Sequence, residues 1–194
     1  GYRNLSYMVS QAFTEGFYIK PRIDMELLRQ HSEGLIALSA CLAGEIPRRL
    51  VNGDYDGARE YALTMRDIFG EDSFYLELQD HGIADQTEVN RQLLRLHDET
   101  GIPLVCTNDA HYLRREDAES HDVLLCIQTG KTVDDANRMR YEPQNFYLRS
   151  TEEMEALFAG YPEAVANTQR IADMCQLEFT FGKYHLPEFQ LPEG

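Results

Sequence analysis

The sequence predicts an α/β fold built on parallel strands, either open or closed into a barrel. Three observations carry this. Short apolar runs alternate with longer stretches whose apolar residues recur at helical spacing. Strands separated by helices of roughly 10–15 residues run parallel, joined by right-handed crossovers. Gly70, Gly101 and Gly130 each follow one of the helical stretches, where a residue free to turn left-handed ends a helix.

The elements follow in chain order. Leu5, Met8, Val9, Ala12 and Phe13 mark an amphipathic helix ending near Gly16. Asp24 caps a short second helix, Met25 to His31. "GLIALSA", 34–40, reads as a buried strand, with Cys41 just past its end. Ala58, Tyr61, Ala62, Met65, Ile68 and Phe69 lie on one helix face. "SFYLELQ", 73–79, alternates with period two and reads as a second strand. Val89, Leu93 and Leu96 place a helix over 85–100. "PLVCT" is the third strand, with Pro103 at its start, where the missing N–H does least harm. A helix follows over 115–128. The polar stretch 131–150 reads as a loop with a short strand at Phe146–Leu148. Ser150 and Glu153 form a capping box that opens a helix to about 158. Pro162 starts another, with Ala164, Val165, Thr168, Ile171 and Ala172 at helical spacing. The tail "YHLPEFQLPEG" carries two prolines and reads as an extended exit linker. Three strands are few for a complete α/β domain, and the chain has no initiator Met; both point to a piece of a longer chain.

Composition narrows the function classes. The chain has 194 residues, 43% apolar and 26% charged, the balance of a globular domain. Its apolar runs are too short for a membrane helix, and its N-terminus lacks the basic start and apolar centre of a signal peptide. A cytoplasmic protein without a membrane partner is therefore expected. Four cysteines, none in a C-x-x-C pair, fit a reducing compartment. The net charge of −15 repels phosphate backbones, so nucleic acid would have to be met at a local basic spot or through metal ions. "KPR", 20–22, and Arg114–Arg115 are such spots, and both also read as solvated surface charge.

Functional groups in α/β folds gather at the carboxyl ends of the strands. Those ends offer Cys41; then Asp80 and His81; then Asp109 and His111. Residues two apart in an extended segment point the same way, so Asp109 and His111 can face one cavity. A carboxylate beside an imidazole suits a metal; the alternative is a helix-capping Asp and a surface His. Glu77, mid-strand, reads either as facing that cavity or as a salt-bridge partner. "QTGKT", 128–132, is not a phosphate loop, because the pattern needs Gly at 125, which is Leu.

"EGLIALSACLAGEIP" (33–47), "FYLELQDHGIADQTEVN" (74–90) and the long run from Gly101 to Tyr141 together resemble the bacterial DNA polymerase III alpha subunits. So do the entry at 4–24 and the exit "LPEFQLPEG" at 186–194. The resemblance implies the later part of an N-terminal polymerase-and-histidinol-phosphatase (PHP) domain, a distorted seven-stranded β/α barrel whose first strands are missing here. It divides the chain into 1–149, the C-terminal portion of that domain, and 150–194, a helical extension and exit linker towards the polymerase body. Metal-binding members hold up to three ions, zinc or manganese, in a cluster. The family's later ligands fall on Cys41, Asp109 and His111, in "SAC", where the family more often has Gly before the Cys, and in "TNDAH". The earlier ligands lie upstream, so this chain alone implies partial occupancy and no catalysis. His81 reads either as cavity lining or as a structural hydrogen-bonding group. Lys20, Arg22 and Arg114 are candidate phosphate contacts.

The resemblance implies a DNA-directed DNA polymerase, a nucleotidyltransferase of DNA replication, with metal-dependent 3′→5′ proofreading exonuclease activity in its PHP domain. Its partners would be DNA and the remainder of the polymerase chain. One rival reading is a non-catalytic PHP scaffold that docks a separate proofreading exonuclease subunit; another is a stand-alone PHP phosphoesterase. An isolated piece of barrel implies an open sheet or a self-associated form, because strand edges and an apolar face are left uncovered.

Overall fold

The computed structural model describes residues 1–184 and 186. Almost all of the exit segment 186–194 lies outside them. The chain forms three strands and eight α-helices among the described residues. The strands are β1 (Ala37–Leu38), β2 (Phe74–Leu78) and β3 (Leu104–Cys106), in the order β1-β2-β3, both pairs parallel. Ala37 pairs with Phe74, and Leu78 with Cys106. All three carboxyl ends therefore emerge along one edge of a small open sheet.

The helices are α1 (Tyr2–Thr14), α2 (Met25–Gln30), α3 (Glu45–Val51), α4 (Tyr55–Phe69), α5 (Ala84–Thr100), α6 (Ala118–Thr129), α7 (Thr151–Leu157) and α8 (Pro162–Met174). Their caps follow the local chemistry. Asp24 accepts the Leu27 N–H, and Ser150 and Glu153 cap each other's backbone. Gly101 and Gly130 end α5 and α6 in the left-handed conformation. The core joins α3, α4, α5 and α8 to β2 and β3 through residues such as Ile46, Ala62, Leu76, Leu93, Leu96, Ile102 and Ala164.

Several expectations need correction. The 34–40 strand shrinks to Ala37–Leu38, because Gly34 and Ala40 on its flanks both adopt positive φ, +73° and +65°, which extended pairing does not accommodate. The strand read at 73–79 is present as β2, with Phe74, Tyr75, Leu76 and Leu78 all buried and only Glu77 half-buried. A central parallel strand is covered on both faces, so its apparent alternation marks one polar residue rather than a wet face. Helix α3 carries no clear sequence signal, because Gly44 at its N-cap and Pro47 in its first turn obscure it. The 115–128 helix divides into a 3-10 turn, Arg115–Asp117, followed by α6. The strand expected at Phe146–Leu148 is a single parallel bridge between Tyr112 and Tyr147. On α1 only Met8 and Ala12 are buried; Leu5, Val9 and Phe13 of the same stripe stay exposed. No described helix is long and apolar enough to cross a membrane.

Candidate metal centre at the carboxyl edge of the sheet

The backbone turns at the end of each strand, and the turns carry the polar groups. After β1, Ala40 adopts a left-handed φ and the chain bends so that the Gly44 N–H reaches the Cys41 carbonyl (2.8 Å). Left-handed φ costs a non-glycine residue roughly 1–2 kcal/mol. The half-buried Cys41 borders a small cavity with Glu77, Gln79, Gln86 and Asn90.

After β2, Asp80 accepts the Gly82 N–H in a local turn (2.9 Å), and His81 is fully buried. The His81 N–H donates to Gln86 Oε1 (2.9 Å), and its Nδ1 meets Gln86 Nε2 (3.2 Å). Its ring stacks on Phe146 with centroids 4.5 Å apart and planes within 4°. Nε2 has no partner among the described residues. Burial and the nearby Arg149 guanidinium push its pKa below the ordinary imidazole value.

After β3, Asp109 and His111 lie side by side, with Asp109 Oδ1 3.1 Å from His111 Nε2. Asn108 Oδ1 accepts the Arg149 N–H (2.8 Å), and Phe146 O accepts both the His111 N–H (2.7 Å) and the Tyr112 N–H (3.2 Å). The 145–149 segment is thus a strap. It holds the β3 turn directly and the β2 turn through Asn145 to the His81 carbonyl (3.2 Å) and Arg149 to the Asp80 carbonyl (2.9 Å). His111 also packs in an aromatic cluster, 4.4 Å from Tyr141 and 5.7 Å from His121 between centroids. His121 has its pKa lowered by burial and then by His111. No spacing rule in the sequence brings Tyr141 or His121 to this place; His121 comes on α6 and Tyr141 on the loop that closes over it. Arg138 fixes that loop, reaching Asp122 with a bidentate pair at 2.5 and 2.6 Å that holds the Asp122 carboxyl below its usual range.

Among the described residues no three His, Cys, Asp or Glu side chains converge as a metal site. Asp109 and His111 come together; Cys41 follows β1, with β2 lying between β1 and β3. The donor set is therefore split, a carboxylate–imidazole pair on one side and a thiol on the other, which fits part of a multi-ion site and not a single closed one. Arg114 is exposed three residues past His111, where its N–H is bonded to Asp117 (2.9 Å). Lys20 and Arg22 lie exposed in the loop after α1, with the Arg22 guanidinium 5.5 Å over the Tyr18 ring.

The PHP domain family model matches residues 1–81, which include Cys41 and end at His81. Over 192 residues, 99% of the chain, the sequence is 47% identical to DNA polymerase III subunit alpha of Treponema pallidum (strain Nichols). It is 46% identical over 193 residues to the subunit alpha of Borreliella burgdorferi, again 99% of the chain. With that of Thermus aquaticus it shares 44% identity over 203 aligned residues and 100% of the chain. The chain spans 16%, 17% and 16% of these three relatives. A small parallel α/β sheet, a PHP domain match over residues 1–81 and 44–47% identity over nearly the whole chain lead to one conclusion: the chain is similar to a part of the bacterial DNA polymerase III alpha subunits.

Proposed function

We propose that this chain is the later portion of a PHP domain, residues 1–149, with a helical extension over 150–194, in a replicative DNA-directed DNA polymerase. In this reading β1–β3 are consecutive strands of a β/α barrel, and the PHP domain is a metal-dependent phosphoesterase that trims DNA 3′ ends. The observation that carries it is the Asp109–His111 pair on one side of the β3 end, with Cys41 on the same sheet edge. Asp109, His111 and Cys41 would contribute ligands to zinc or manganese, completed by residues outside this chain. Such ions supply hydroxide near neutral pH and offset charge growing on phosphoryl oxygens; they also reconcile a net charge of −15 with an anionic substrate. The chain's own contribution is orientation. Phe146 and Asn108 hold the β3 turn, and the aromatic packing around His111 restricts its ring. Arg114, exposed beside this turn, is the candidate phosphate contact best placed to act; Lys20 and Arg22 share no hydrogen bond with it among the described residues. The split donor set also supports a second reading, a metal-stabilised scaffold that docks a separate exonuclease subunit.

The test uses the full-length polypeptide that carries this segment, beside its Asp109→Ala/His111→Ala version. Metal content and 3′-end nuclease activity are expected to fall together in the double variant. Metal retained without any 3′-end hydrolysis at every metal loading would leave the scaffold reading in place.

A further inference from the structure

Glu77 is the one half-buried residue of β2, and its carboxylate reaches both neighbouring strand ends. Oε2 accepts the Ala40 N–H (3.0 Å), at the left-handed turn that leads into Cys41. Oε1 accepts the Thr107 hydroxyl, two residues before Asp109, and the Gln79 side-chain N–H (3.2 Å). Gln79 Nε2 also donates to Thr107 (3.1 Å), which fixes the orientation of that amide, since only a donor can face the carboxylate. The Ser39 hydroxyl accepts the Glu77 N–H (2.8 Å). Every partner of the carboxylate is neutral, so the salt-bridge reading of Glu77 does not hold.

A carboxylate is suited to this place because it offers several lone pairs and no donor. Hydrogen bonds to an ionised acceptor are about twice as strong as neutral ones. The sheet ladder sets the strands but reaches only to Ser39 and Thr107, so it does not by itself hold the two turns that follow them. We propose that Glu77 is a positioning residue that holds the Cys41 turn and the Asp109–His111 turn in mutual register. The proposal rests on the metal reading for its function, although not for its geometry.

Hydrogen–deuterium exchange on the full-length polypeptide tests it, with Glu77→Ala and Glu77→Gln. Glu77→Ala is expected to speed exchange about tenfold or more at Ala40 and in 107–111, the size of effect that a lost charge-assisted bond produces. Helices α4 and α8 should keep their native protection. Glu77→Gln retains an oxygen for the Ala40 N–H and should restore protection there. Unchanged exchange at both turns in Glu77→Ala, or equal loosening throughout the core, would overturn the proposal. Cobalt(II) added to the same proteins links the result to the metal: the thiolate-to-cobalt absorption of the wild type should be lost in Glu77→Ala and recovered in Glu77→Gln. A wild type without that band removes Cys41 from the donor set, which is a failure of the functional reading; the exchange result decides Glu77 in either case.

Discussion

His81 illustrates how a single side chain sets a pH response. Its folded-state pKa lies below the unfolded value near 6.5, because burial disfavours the imidazolium. As pH falls below about 6.5 the unfolded chain takes up the proton first, so it binds more protons than the folded one. Stability from the neutral ring is therefore present above that pH and declines as pH drops through the folded pKa. Urea midpoints measured between pH 5 and 8 on the segment are expected to fall towards pH 5. The decline should be shallower in His81→Gln, with His121 supplying the remaining slope because its pKa is lowered in the same direction. An unchanged slope in the variant would show that the ring titrates freely. At the same scale, Asp109 and His111 were legible as a same-side pair because the period of extended backbone is two. The partners of His111 were not, because His121 on α6 and Tyr141 on the segment after it reach the ring through packing that no local rule sets.

Edge β3 shows how one helix can satisfy the open side of a strand. Pro103 O and Thr107 N–H bond to β2, so the alternating groups between them face away from it. The Leu104 carbonyl on that far side accepts the buried Asn167 side chain of α8 (2.8 Å). Asn167→Ala would leave the carbonyl without a partner inside the packed α8–β3 contact. It is expected to lower unfolding stability by about 1–3 kcal/mol, read from urea denaturation. A loss of a few tenths would mean that water reaches the edge. Helices were the more legible elements. Their caps at Asp24, Ser150, Gly70, Gly101 and Gly130 are local chemistry, and local chemistry is written in neighbouring residues. Strand extent was less legible, since β1 is cut short by the left-handed Ala40, whose conformation depends on contacts from β2.

At the scale of the whole molecule, the described residues present apolar surface that no described element covers. On α6 Leu124 and Ile127 are 61% and 71% exposed, and Leu113, before that helix, is 72% exposed. On and after α1, Val9, Phe13, Phe17 and Ile19 are exposed as well. Exposed apolar groups of this number favour association in water. Sedimentation velocity on the isolated 194-residue chain is expected to show concentration-dependent association, reduced by Leu124→Lys/Ile127→Lys. A single monomeric species across the concentration range would contradict this.

The sequence by itself determined the class of fold, the parallel alternation of helix and strand, and the three strand ends where polar groups collect. Those follow from periodicity and capping, which act over a few residues, and the motifs at those ends carry the family resemblance. Only the tertiary structure decided that β2 is buried on both faces, that the 145–149 strap holds two strand ends, and that Glu77 bonds to turns 37 and 30 residues away. Such links join residues distant in sequence, and their geometry is set by packing rather than by neighbouring residue types.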